Sequence, residues 1–174
     1  MRPFALTCVV VSLLLAPLSA VGLTSRILIR DLDRGSVSEI TDRSVLNQFH
    51  VWAGQGTYSG APGQQTEGKD GFIVDWRSGV IDDQRPGQLR RYELRFYVAP
   101  RDTYQRTGAP EELAYVVLYE HDPATGFGYV YLPGRADEHF GLNVRSILHG
   151  VEGHWLRANA AWQTVFASLP RIRE

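Results

Sequence analysis

The feature that most constrains the fold is a strict alternation over residues 91–98. Tyr92, Leu94, Phe96 and Val98 are interleaved there with Arg91, Glu93, Arg95 and Tyr97. Successive side chains of an extended chain point to opposite faces, so a β-strand puts all four apolar residues on one side. One face of this strand packs on a core, and the other meets water or a partner. The stretch Leu113–Tyr119 (LAYVVLY) is apolar on both faces, which suits a strand near the centre of the sheet. Asp122-Pro123-Ala124-Thr125-Gly126 is turn chemistry, and Phe127–Leu132 returns as the second strand of a hairpin.

Other segments extend this pattern. Arg26–Asp33 alternates, with Ile27 and Ile29 on one face and Leu28 and Arg30 on the other. Phe72, Val74 and Trp76 alternate with Ile73, Asp75 and Arg77, which again predicts a strand. Thr41-Asp42 supplies N-cap chemistry for a short helix, with Val45, Leu46, Phe49 and Trp52 toward its buried side and Gly54 as its stop. At the other end Ala158, Ala161, Trp162, Val165, Phe166 and Leu169 recur at helical spacing, before Pro170. Residues 140–149 fit both periods: Phe140, Leu142, Val144 and Leu148 as a strand face, or Phe140, Val144, Ile147 and Leu148 as a helix face. Gly141, Asn143 and the β-branched residues favour the strand. The expected fold is α+β: an antiparallel sheet of five to six strands, with a short N-terminal helix and a C-terminal amphipathic helix packed on it.

The first twenty residues stand outside that pattern. A positive start, Met1-Arg2-Pro3, precedes an apolar run from Phe4 to Ala16, and Leu18-Ser19-Ala20 offers small residues for cleavage. These are the three regions of a secretory signal peptide. The alternative, an uncleaved anchor, has the length from Phe4 to Leu23 but is interrupted by Pro17 and Ser19. The expectation is therefore an exported bacterial protein, periplasmic or secreted. Residues 21–174 form one domain, with no membrane span once the signal is cleaved. Cys8, the one cysteine, lies inside the signal, so the mature core must hold without disulfides. Zinc–thiolate sites and cysteine nucleophiles are excluded with it.

A formal net charge of −1 gives no basic face of the kind nucleic acid requires. The basic residues are seventeen arginines and Lys69, scattered along the chain as a GC-rich genome would produce. Residues 54–71 contain six glycines and read as a long surface loop. A phosphate-cradling loop leads from a strand into a helix, whereas a strand is expected after this one. Tyr58, within the loop, is the aromatic residue that packing explains least.

Candidate chemistry is sparse. His149, Glu152 and His154 carry metal-ligand atoms within six residues. Their spacing differs from H-E-x-x-H, and Gly150 and Gly153 favour a turn with solvated histidines. No G-x-S-x-G nucleophile elbow occurs. Asp75, Arg77, Glu93 and Arg95 are expected to form a cross-strand charged ladder on the wet face of the sheet, where opposite charges stabilise by about 0.2–1 kcal/mol each. With Tyr58 they are the candidate ligand-binding residues. The leading reading is an exported non-catalytic domain with a binding or envelope-associated role and no cofactor. The alternative is a small exported hydrolase, metal-dependent through His149, Glu152 and His154.

Overall fold

A computed structural model describes residues 22–56, 72–87, 89–104, 106, 108 and 110–169. The proposed signal and Tyr58 lie outside the described residues. Six strands form one antiparallel sheet: β1 Leu23–Asp31, β2 Val37–Ile40, β3 Arg90–Ala99, β4 Glu112–His121, β5 Gly128–Tyr131 and β6 Trp155–Arg157. Their spatial order is β2-β1-β3-β4-β5-β6. Among the described residues three α-helices accompany them: α1 Arg43–Leu46, α2 Phe140–Ser146 and α3 Ala160–Ser168. The α+β architecture expected from periodicity is the architecture observed, and among the described residues no helix is long and apolar enough to cross a membrane.

Register explains which face is the core. In β3 the alternation sends Tyr92, Leu94 and Phe96 to one side, opposite Tyr119, Val117 and Tyr115 of β4. Leu94 and Phe96 also face Ile29 and Ile27 of β1. All eight residues are buried in one hydrophobic cluster. Helix α3 covers this face. Phe166 packs 4.6 Å from Tyr119 and 5.0 Å from Tyr92, and Trp162 meets Phe49 edge-on at 5.2 Å. Asn159 starts the helix by accepting from the Trp162 N–H at 2.8 Å, and its amide donates to the Phe72 carbonyl. At the start of α1, Asp42 caps the Ser44 N–H in the same way, as its position predicted.

Two expected strands are corrected. Residues 72–77 do not join the sheet as a strand; Val74 makes a single bridge to Ala158. Phe72, Ile73 and Val74 are all fully buried, so their alternation does not mark a half-exposed strand. Asp75 then takes the Arg77 N–H at 3.1 Å and the Ser78 hydroxyl at 2.6 Å, bending the chain into a 3₁₀ turn over Trp76–Ser78.

The segment after β5 is helical, not extended. Its buried Asn143 carboxamide accepts from the Val116 N–H at 2.8 Å and donates to the Val116 carbonyl at 2.7 Å. Ser146 donates to the Ala114 carbonyl at 2.7 Å. Of β4, only residues 118–121 pair with β5, so α2 satisfies the backbone where that pairing ends. This tertiary demand overrides the local β-preference of the segment.

Candidate ligand-binding site

The second face of the sheet carries the other half of each alternation. Hydrogen-bond register lines up Arg30 of β1, Glu93 of β3, Leu118 of β4, Tyr131 of β5 and Trp155 of β6 in one transverse row. Arg95 lies on the same face as Glu93, two residues along.

Glu93 is the centre of this row, at 8 % exposure. One carboxylate oxygen accepts from Arg95 Nε at 2.7 Å, and the other lies 3.3 Å from His139 Nε2. A carboxylate only accepts, so this imidazole nitrogen bears the hydrogen. Burial alone would raise the Glu93 carboxyl, but hydrogen bonds and charge from Arg95 and His139 outweigh it and hold it below the usual carboxylate range. The same contact with Glu93 raises the Arg95 guanidinium. Arg30 is exposed opposite Glu93, and among the described residues no carboxylate pairs with it. The Arg95 guanidinium and the His139 imidazole therefore flank one carboxylate, and Arg30 holds the cross-strand position opposite it.

The connection between β5 and α2 delivers His139. Asp137 anchors it, accepting from the Tyr131 hydroxyl at 2.8 Å and the Gly134 N–H at 2.6 Å. Farther along, Tyr131 and Trp155 lie 5.1 Å apart. The Arg85 guanidinium sits 3.7 Å over the Trp155 ring and pairs with Glu120. Asp82 accepts from the Trp155 N–H and pairs with His154, each at 2.7 Å. The Trp155 N–H and then His154 hold the Asp82 carboxyl below its ordinary value.

The sequence-derived candidates thus separate. Glu93 and Arg95 meet as expected, but Asp75 and Arg77 belong to the 3₁₀ turn and do not extend their ladder. His149 is buried at 1 % exposure, correcting the expectation that it is solvated. Its Nδ1 lies 2.6 Å from the Gln55 carbonyl. Glu152 takes the backbone N–H groups of His149 and Gly150, while His154 turns to Asp82. These three side chains have separate partners, and among the described residues no group of three His, Cys, Asp or Glu is placed to hold a metal ion. Sequence reasoning missed Arg30 and His139. The alternation of β1 placed Arg30 on the wet face, but nothing local indicated the register that sets it against Glu93. His139 is 46 positions from Glu93, with no periodic signal between them.

Compared with known proteins, the chain matches no protein-family model, no curated protein and no solved structure.

Proposed function

We propose that this is an exported, non-catalytic binding domain that seats the acidic group of its ligand on the second sheet face, against Arg30, Arg95 and His139. The observation that carries this reading is the charge arrangement around Glu93. One nearly buried carboxylate orients Arg95 and His139, and Arg30 stands across from it without a carboxylate partner. A guanidinium already held by one carboxylate is pre-organised, and its planar fork matches a second carboxylate or a phosphate. Leu118 and Tyr131, next in the row and half-buried, offer the body of the ligand a less polar shelf.

The test is a map of amide shifts against matched compounds. Inorganic phosphate, glucuronate and phosphatidylglycerol vesicles carry the acidic group; glucose and phosphatidylcholine vesicles do not. The acidic members are expected to shift Arg30, Glu93, Arg95 and Leu118, and the neutral ones to leave them in place. Shifts centred elsewhere, or equal responses to both sets, would refute this seat.

Export rests on the N-terminal pattern. Intact-mass measurement of the protein recovered outside the cytoplasm is expected to show residues 1–20 missing. Full-length protein held in the membrane fraction would contradict it.

A further inference from the structure

His149 is not among the residues of the Glu93 row, and its burial is costly. Its ring is enclosed by Phe72 at 5.7 Å, Trp76 at 4.8 Å and Tyr115 at 5.8 Å between centroids. Because Nδ1 meets a carbonyl, it must be the protonated nitrogen of the neutral ring, which leaves Nε2 with a buried lone pair and no hydrogen-bond partner. Polar groups are seldom buried this way without a reason.

The contacts of the ring show what it holds. Gly54 and Gly56 have φ of +101° and +78°, a region that L side chains rarely adopt. A Cβ at Gly54 would strike the Trp76 indole, and one at Gly56 would strike the backbone of Leu148 and His149. Between them, the Gln55 carbonyl is the acceptor of the imidazole. Trp52, at the start of the same stretch, donates its indole N–H to the Ser146 carbonyl at 3.1 Å. The stretch from Val51 to Gly56 is thus pressed onto the Trp76–His149 pair and tied to it by one imidazole hydrogen bond.

We propose that His149 is an acid-sensitive latch: the neutral ring holds residues 51–56 on the core, and protonation of the ring releases them. A charged ring gains a second N–H, at Nε2, which has no hydrogen-bond partner in the latched form. No side chain facing the ring is hydrogen-bonded to Nε2, and the Val51 backbone favours the charged form less than burial opposes it. Phe72 and Trp76 carry no charge, burial keeps the Tyr115 hydroxyl neutral so that it brings no counter-charge, and Glu152 spends both oxygens on the backbone N–H groups of His149 and Gly150. Burial lowers the imidazole below its ordinary value, against smaller opposing effects from the Gln55 carbonyl, Glu152 and Val51.

The sign follows from linkage. The released ring regains an ordinary value of about 6.5. The latched form is therefore fully favoured above that pH, and loses ground as pH falls from there toward its own lower value. Across that window the opening constant should rise roughly tenfold per pH unit.

Hydrogen exchange at the indole N–H groups of Trp52 and Trp76, corrected for intrinsic rates, reads this opening between pH 7.5 and 5.5. Opening is expected to increase with acid while Leu94 and Val117 amides stay protected, which separates release from global unfolding. His149→Gln, uncharged at both values, should abolish the pH response. His50→Gln should retain it, which matters because burial lowers His50 too and it adjoins the stretch. A flat response in the unaltered protein, or an undiminished one in His149→Gln, would overturn the latch. Should His149→Gln fail to fold, imidazole resonances of the unaltered protein decide: ring titration must track the indole exchange, and titration without it refutes the proposal.

Discussion

Asn143→Ala is expected to destabilise the domain by about 3–5 kcal/mol, because it strands two buried backbone groups at once. Its carboxamide serves both the N–H and the carbonyl of Val116, in the manner of a neighbouring strand. Each buried group left without a partner costs about 1–3 kcal/mol, and the lost side-chain volume adds to that. Ser146→Ala removes only one bond at a part-buried position and should cost about 1 kcal/mol. Denaturant midpoints at unchanged slope measure both. A loss below about 1 kcal/mol for Asn143→Ala would mean that the end of β4 does not depend on α2 for its hydrogen bonds.

Trp162→Ala is expected to have a comparable effect for a different reason. The indole is fully buried where α3 meets the sheet, against Phe49 and, at 6.2 Å, Tyr119. Removing a buried tryptophan costs about 3–5 kcal/mol, since the surroundings close only in part around the space it leaves. For a domain of this size that is a fall in melting temperature of roughly 10 °C. A fall of only two or three degrees, corresponding to about 1 kcal/mol, would show that α3 lies on the fold without stabilising it.

These two residues also mark where the sequence was legible. Trp162 was readable because the apolar stripe of an amphipathic helix is a local, periodic signal, and the same holds for the alternation of β3 and the turn at Asp122. Asn143 was not. Its side chain answers a demand made by β4, 27 positions away, and a polar residue serving a distant backbone leaves no mark in local periodicity. Asp75 shows the converse failure. Residues 72–77 alternate convincingly, yet a carboxylate that folds back on its own backbone ended the strand in a turn. His149 was misread as solvated for a related reason. Flanking glycines signal a turn correctly, but they say nothing about which neighbours enclose the side chain they carry.

The candidate site divides in the same way. Glu93 and Arg95 share a face by strand geometry, so their proximity follows from the sequence. The cationic excess around them depends on register with β1 and on the path of the connection from β5 to α2, both tertiary facts. Arg30 is the informative residue, since it has no carboxylate partner among the described residues and its loss should leave the fold intact.

The most direct measurement is therefore an NMR titration of the protein and of Arg30→Gln with inorganic phosphate and glucuronate at low ionic strength. The Nε–H resonances of Arg30 and Arg95 are the reporters. Saturable shifts are expected at both arginines, with a dissociation constant roughly tenfold weaker in Arg30→Gln, about 1.4 kcal/mol, at an unchanged melting temperature. Absence of saturable shifts, or equal affinity in the two proteins, would contradict a ligand seat at this face of the sheet.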